Sequence, residues 1–159
     1  MTNQEILEAV GAAFPDGILG HGEFREDLTL LIRKEDLLRI AGFVKRDLGF
    51  DLLIDILGVD HFRAAGRFEV VYNVWSLLHK RYLRLKVPAE EEHPVVPTVT
   101  GIWPGANWHE RETFDMFGIR FEGHPDLRRL YMPDEFEYYP LRKDFPLMGI
   151  PDSLPLPRR

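Results

Sequence analysis

Proline placement constrains this chain more tightly than any other feature of it. Of the 12 prolines in 159 residues, only Pro15 precedes residue 88. Proline fixes φ and has no N–H, so it interrupts helices and is confined to the edges or first residues of strands. Residues 1–87 can therefore hold regular elements throughout. The remainder, punctuated by Pro88, Pro94, Pro97, Pro104, Pro125, Pro133, Pro140, Pro146 and Pro151, mostly cannot. Three regions follow: an α+β body over 1–87, a linker with one helix over 88–122, and an extended tail over 123–159. The total length suits one domain.

Within the first region the hydrophobic spacing is regular. Thr2 or Asn3 can cap a helix that turns Ile6, Leu7 and Val10 to one side and stops at Pro15-Asp16-Gly17. A strand at Ile18 and Leu19 is expected to bend at Gly20-His21-Gly22 into a second at Leu28–Ile32, a hairpin. Leu37, Ile40 or Ala41, Val44 and Leu48 recur at helical spacing, and Gly49 stands where a C-cap needs it. Three sets then alternate with the period of strands: Phe50, Leu52, Ile54 and Ile56; Phe68, Val70, Tyr72 and Val74; Leu83, Leu85 and Val87. The order α-β-β-α-β-β-β predicts an α+β two-layer sandwich, with helices on one face of a mixed, largely antiparallel sheet. Its core should contain Leu30, Ile32, Leu38 or Ile40, Val44, Ile54, Val70, Tyr72 and Leu85.

Beyond Pro88 no apolar period returns until Asn107. There Asn107 and Glu110 form a candidate capping box for a short helix that carries Phe114 and Phe117 and ends at Gly118. The tail then holds Phe121, Leu127, Leu130, Tyr131, Phe136, Tyr138, Tyr139, Phe145 and Leu147 between its prolines. A solvated linker has few aromatics, so these side chains are expected to bury against an existing surface, much of it on partner proteins. Truncation after Gly118 is then expected to leave a folded body that no longer docks.

Several function classes are excluded. The chain has no cysteine, which removes disulfides, thiolate nucleophiles, Cys-ligated zinc and a self-held iron–sulfur cluster. A net charge of -6, from 20 basic against 26 acidic residues, argues against nucleic acid as the main partner. No apolar run is long enough to predict a membrane span, and the N-terminus lacks a signal-peptide pattern. His109-Glu110 starts like the zinc motif H-E-x-x-H, but Thr113 stands where the second histidine belongs. His21, His61, His79, His93 and His124 show no metal-ligand spacing, and the phosphate-loop, dinucleotide and nucleophile-elbow motifs are missing. Glu110 and Glu112 lie roughly 200° apart around a helix, so they cannot act as a facing carboxylate pair. An amphipathic helix with an Arg111–Asp115 surface pair would account for the local charge. Trp103 and Trp108 flanking its start, together with the loaded tail, favour a docking face.

The residues Glu110-Arg111-Glu112, Asp115, Met116-Phe117, His124, Arg128 and Leu130-Tyr131 together resemble the signature of the 30 kDa subunit family of NADH:quinone oxidoreductase, respiratory complex I. The run Pro140-Leu141-Arg142-Lys143-Asp144-Phe145-Pro146-Leu147 is similar to that family's C-terminal segment. The resemblance implies a peripheral-arm subunit that carries no redox centre, packs on the large quinone-side subunit beside the iron–sulfur subunits, and sits on the cytoplasmic side of the inner membrane. FMN, iron–sulfur clusters and quinone are then held by partners. It also implies structural or interface roles for Glu110, Arg111, Glu112, Asp115, His124 and Arg128, and docking roles for Phe136, Tyr138, Tyr139, Arg142, Lys143, Asp144 and Phe145. The planar fork of Arg111 suits a bidentate bond to a carboxylate such as Glu112, Asp115 or one on a partner. Equivalent subunits of membrane-bound hydrogenases, formate hydrogenlyases and reduced-deazaflavin dehydrogenases are the nearest alternatives. An alternative of another class is a standalone α+β enzyme using Arg111, Glu112, Asp115 and His124.

Overall fold

The computed structural model describes residues 1–62, 66–146 and 149. Helix α1 (Asn3–Ala13) opens with a capping box: the Thr2 hydroxyl accepts from the Glu5 N–H at 3.2 Å, and the Glu5 carboxylate accepts from the Thr2 N–H at 2.8 Å. It buries Ile6 and Val10. The next element departs from the expected bend. Strand β1 (Ile18–Phe24) continues through Gly20-His21-Gly22 and pairs with β2 (Asp27–Ile32), with one bulge at Leu19 between the Ile18–Ile32 and Gly20–Leu31 pairs. The chain reverses instead at Arg25 and Glu26, whose φ values of 50° and 72° put both turn residues in the left-handed region. Two such residues match the twist of a tight hairpin, so the turn forms where the loop is shortest and not where glycine is available.

Helix α2 (Leu37–Arg46) follows a short 3-10 turn and stops two residues before Leu48, with Gly49 at φ 70° just beyond. Strands β3 (Leu52–Asp60), β4 (Phe68–Ser76) and β5 (Arg81–Ala89) complete a five-stranded sheet in the order β1-β2-β5-β4-β3. Only β2 and β5 run parallel. The predicted two-layer α+β architecture is present: α1 and α2 bury Ile6, Val10, Leu37, Ile40, Ala41 and Val44 in one cluster with Leu28, Leu30, Ile32, Ile56, Val70, Tyr72, Val74, Leu83, Leu85 and Val87.

The alternative between Leu38 and Ile40 is decided for Ile40, and one expected core position, Ile54, is corrected. Leu38 is exposed while Ile40 is buried, and Ile54 is 37% exposed. Ile54 is the extra residue of a β-bulge: Leu53 pairs with Val74 and Asp55 with Asn73, so the inward parity passes from odd to even residues between them. The 87/88 boundary also moves, because β5 passes through Pro88, which pairs with Glu69 on β4. The missing N–H breaks no bond there, since the ladder to β2 has already ended at Lys86.

The linker carries one element with no period to announce it. Strand β6 (Val95–Pro97) pairs in parallel with β7 (Arg120–Glu122), and together they bury Val96 and Phe121. Helix α3 (Ala106–Phe117) lies between them in sequence and covers the free edge of β3. The Thr113 hydroxyl donates to the Ile56 carbonyl at 3.2 Å, and the Phe117 ring rests on Gly58 so closely that a Cβ there would stand 2.6 Å from it. From Gly123 to Pro146 the chain forms turns and bends, with no helix or strand. It folds back on the body: the Leu141 N–H reaches the Met116 carbonyl at 3.1 Å, and the Lys143 N–H reaches Asp60 at 2.9 Å. The remainder of the tail, including Leu147 and Pro151, lies outside the described residues.

Candidate functional site

The density of charge on α3 resolves into two interlocks. The helix begins at Ala106 after Gly105, one residue before the expected cap, and the Asn107–Glu110 box is not made. Glu110 is fully buried and turned away from the helix start. Its carboxylate accepts the Val99 N–H at 2.7 Å and the Thr98 hydroxyl, tying α3 to the strand-to-helix loop. Burial pushes its pKa up to about 7, against the pull of those two hydrogen bonds. His124 closes the same interlock. Its Nδ1 accepts from the Asp126 N–H at 3.0 Å, which leaves the proton on Nε2 to donate to the Asn107 carbonyl at 3.2 Å. This tautomer is neutral, so the 3.9 Å approach of Nε2 to Glu110 is not an ion pair. The buried Tyr72 hydroxyl has no hydrogen-bond partner among the described residues, and burial together with the nearby Glu110 charge raises its pKa.

The second interlock gathers residues 128–132 onto α3. Asp115 Oδ2 accepts the backbone N–H groups of Leu130, Tyr131 and Met132 at 2.9, 2.6 and 3.0 Å, while Oδ1 takes Arg129 Nη1 at 2.7 Å. Burial opposes the charge, but these four donors outweigh it and hold the carboxyl below its ordinary pKa. Of the carboxylates on its own chain, Arg111 bonds to neither Glu112 nor Asp115. Its fork spans two carbonyls, those of Arg128 and Arg129, at 3.2 Å each, and its guanidinium lies 5.0 Å from the centre of the Trp108 ring. Asp115 is already saturated by the loop, so the donors of Arg111 meet the acceptors of that same loop. Arg128 is exposed and pairs only with Asp126, at 2.8 Å, and Glu112 has no hydrogen-bonding partner among the described residues.

The tail residues form a third group against the far ends of β3 and β4. Asp60 receives two bonds of 3.0 Å from Arg67 and the N–H groups of Phe62 and Lys143 at 2.9 Å. Burial works against this carboxylate, yet the donors and the Arg67 charge bring its pKa down to about 2. Arg67 also meets Asp144 at 2.9 Å, and its pKa is raised first by the hydrogen bond to Asp60. Arg142 donates to the Phe117 carbonyl at 2.6 Å and lies 4.4 Å from the Tyr139 ring centre and 4.9 Å from that of Phe68. Phe136, Tyr138 and Phe145 form a triangle of rings with centres 5.8 to 6.5 Å apart. Around these interlocks Trp108 and Tyr131 are each 60% exposed, and Tyr138 and Leu141 are exposed too.

The family model described as "Respiratory-chain NADH dehydrogenase, 30 Kd subunit" matches residues 30–151. The chain belongs to this family. Among its relatives, the C subunit of the NADH-quinone oxidoreductase of Roseiflexus sp. (strain RS-1) is 50% identical over 149 residues, covering 92% of this chain and 86% of the relative. The equivalent protein of Geotalea uraniireducens (strain Rf4) is 45% identical over 153 residues, covering 96% and 93%. A solved trypsin-resistant fragment of Nqo5 is 34% identical with a TM-score of 0.68, covering 80% of this chain and all of the fragment. A chain of an archaeal membrane-bound sulfane sulfur reductase is 27% identical with a TM-score of 0.78, covering 91% and 86%.

Within this 30 kDa fold, sequence reasoning found Glu110, Arg111, Asp115 and His124 but missed Asp60, Arg67, Thr98 and Arg129, which complete their networks. The Arg128-Arg129 pair offered two candidates one residue apart. The structure gives the buried role to Arg129 and leaves Arg128 in solvent. Among the described residues, no three His, Cys, Asp or Glu side chains are placed to hold a metal ion, and no helix is long and apolar enough to cross a membrane.

Proposed function

We propose that this chain is a cofactor-free docking subunit in the peripheral arm of an NADH:quinone oxidoreductase, seated on the large quinone-side subunit on the cytoplasmic side of the membrane. In this reading NADH oxidation, the FMN and iron–sulfur centres and quinone reduction belong to neighbouring subunits, and the chain contributes shape and adhesion.

One observation carries the reading: the buried signature side chains are engaged in internal bonds, while the aromatics beside them face outward. Asp115 accepts from four donors, Arg111 donates to two carbonyls, and Glu110 and His124 bond to Val99, Thr98, Asn107 and Asp126. A nucleophile or general base needs a lone pair facing substrate, whereas the Glu110 and Asp115 carboxylates and His124 Nδ1 face donors of their own chain. Trp108, Tyr131, Tyr138 and Leu141 instead expose apolar area next to rigidly held backbone, the composition of an interface hot spot. The docking region in this reading is the outward side of α3 with residues 123–159. The sulfane sulfur reductase neighbour favours a second reading, in which the same fold serves a related membrane-bound complex with another electron donor.

The structure relocates the informative truncation. A cut after Gly118 would remove buried Phe121 and all the donors to Asp115, so it would test folding. A chain ending at Pro133 keeps both. It is expected to fold, by circular dichroism and a cooperative melt, and to fail to co-purify with the large quinone-side subunit. Trp108→Ala with Tyr131→Ala in the full chain is expected to weaken the same association. Stoichiometric recovery of the large subunit with both variants would end the docking assignment.

A further inference from the structure

The five-stranded sheet has an outer face on which no described helix packs, and three rows of side chains cross it in register. The first is apolar: Leu52, Trp75 and Tyr82, with the Trp75 and Tyr82 rings 4.4 Å apart, Leu52 46% and Tyr82 45% exposed, and Phe24 standing 69% exposed at the end of β1. The second is polar: Asp55, Asn73, Arg84, Thr29 and Gly22. The third is Leu57, Val71, Lys86, Leu31 and Gly20.

Two features set this face apart. The first is Arg84, at its centre. Its guanidinium donates to neutral acceptors, the Asn73 side-chain oxygen at 3.0 Å and the Thr29 hydroxyl at 3.2 Å, and meets no carboxylate directly among the described residues; the Asn73 amide in turn donates to Asp55 at 2.7 Å, which sets that carboxylate one side chain away. Its neighbour Lys86 is neutralised by Glu69 at 2.9 Å. The second is the pair Gly20 and Gly22. Neither has a positive φ, and a Cβ on either would meet only open space; Gly20 follows the bulge at Leu19, where the pairing shifts between Ile18–Ile32 and Gly20–Leu31, whereas Gly22 lies in regular register with Thr29. Glycine weakens a strand, and inside one it marks a bulge or a place where another backbone comes close. Between these glycines, Phe24, Leu31, Arg84 and Lys86 lies an open groove of about 540 Å³, whose lining also includes the Glu23 carboxylate.

We propose that this face is a second docking surface, which receives an extended segment of a neighbouring subunit lying over Gly20 and Gly22 with a carboxylate set against Arg84. The proposal rests on the reading of the chain as a subunit of an assembly. The groove fits an extended strand, because the bare strip is one strand wide, about 4.8 Å. The carboxylate follows from charge: Arg84 is the cation of this face that meets no carboxylate directly among the described residues, and its planar fork favours that group.

The experiment adds purified full-length chain to membranes from a strain that lacks it and measures the half-saturating concentration for stable incorporation. The Gly20→Val/Gly22→Val double variant is expected to melt at or above the wild-type temperature, since Val suits strands, yet to need at least tenfold more protein to saturate. Arg84→Gln is expected to need at least threefold more and to lose most of the salt dependence of incorporation. In the wild type, hydrogen exchange of the amides of 20–24 is expected to slow at least tenfold on assembly. Unchanged exchange, or wild-type incorporation by both variants, overturns the proposal. If the double variant does not fold, Arg84→Gln and the exchange measurement decide the matter. Self-association of the free wild-type chain that the glycine substitutions abolish would assign the face to a second copy, and overturns it too. Failure of the Pro133 truncation with full incorporation of both face variants sinks this inference alone. The reverse pattern sinks only the tail-docking reading.

Discussion

A buried carboxylate is stable only while its donors stay in place, and Asp115 takes its donors from a segment with no secondary structure of its own. Asp115→Asn turns one acceptor into a donor that faces N–H groups. The substitution is expected to cost about 2 to 4 kcal/mol, read from urea unfolding of the full chain at neutral pH. A loss below about 1 kcal/mol would show that residues 130–132 are held by something else. Glu110 gives the opposite sign of pH dependence. Its folded pKa of about 7 lies above its ordinary 4.5, so the native state binds the proton more tightly than the unfolded chain. The contribution is therefore complete below pH 4.5 and is lost as pH rises to about 7, on the order of 3 kcal/mol in all. Asp60, lowered from 3.8 to about 2, behaves conversely: its contribution is present above pH 3.8 and lost as pH falls through 2. Unfolding midpoints measured from about pH 4.5 to about pH 7.5 should fall in the wild type and run flatter in Glu110→Gln. Parallel slopes in the two proteins would refute the assignment.

At the scale of elements, the contact between α3 and β3 depends on the absence of a side chain at Gly58. A Cβ there would lie 2.6 to 3.1 Å from three carbons of the Phe117 ring, and that ring is wedged between strand and helix. Gly58→Ala is expected to cost about 1 to 3 kcal/mol through overpacking, and Gly58→Ala with Phe117→Leu to recover part of it. Thermal melts of the two variants check this; equal loss in both would place the strain elsewhere. The same junction shows what could be read from sequence. Spacing revealed α2 and the β4 and β5 faces because every second or fourth residue there is apolar and buried. It failed at Ile54, where a bulge reverses parity inside an unbroken apolar run, and at β6, whose three residues are too few to show a period. The positions of Glu110, Asp115 and His124 were legible as a charged pattern. Their directions were not, because Thr98, Asn107 and Arg129, which orient them, approach through tertiary contacts.

Across the whole molecule, the tail and the body are less separable than proline counting suggests. Residues 139–144 bond to Phe117, Asp60 and Arg67, so part of what was expected to rest on partners rests on this chain's own β3, β4 and α3. The parallel pairing of β2 with β5, which sets Leu28 beside Leu83, has a kinetic consequence. During synthesis the β1–β2 hairpin leaves the ribosome before the other strands, but its inner edge has no neighbouring strand until the β3–β4–β5 meander is complete. Local antiparallel pairs close quickly and distant parallel ones slowly, so the meander is the natural nucleus and the hairpin the last piece to dock. Stopped-flow measurements should then find that Val70→Ala slows folding, whereas Leu30→Ala chiefly speeds unfolding. A nascent chain stalled before β5 would present Leu28 and Leu30 without their β5 neighbours, which makes that interval of translation the time when this protein most needs a chaperone.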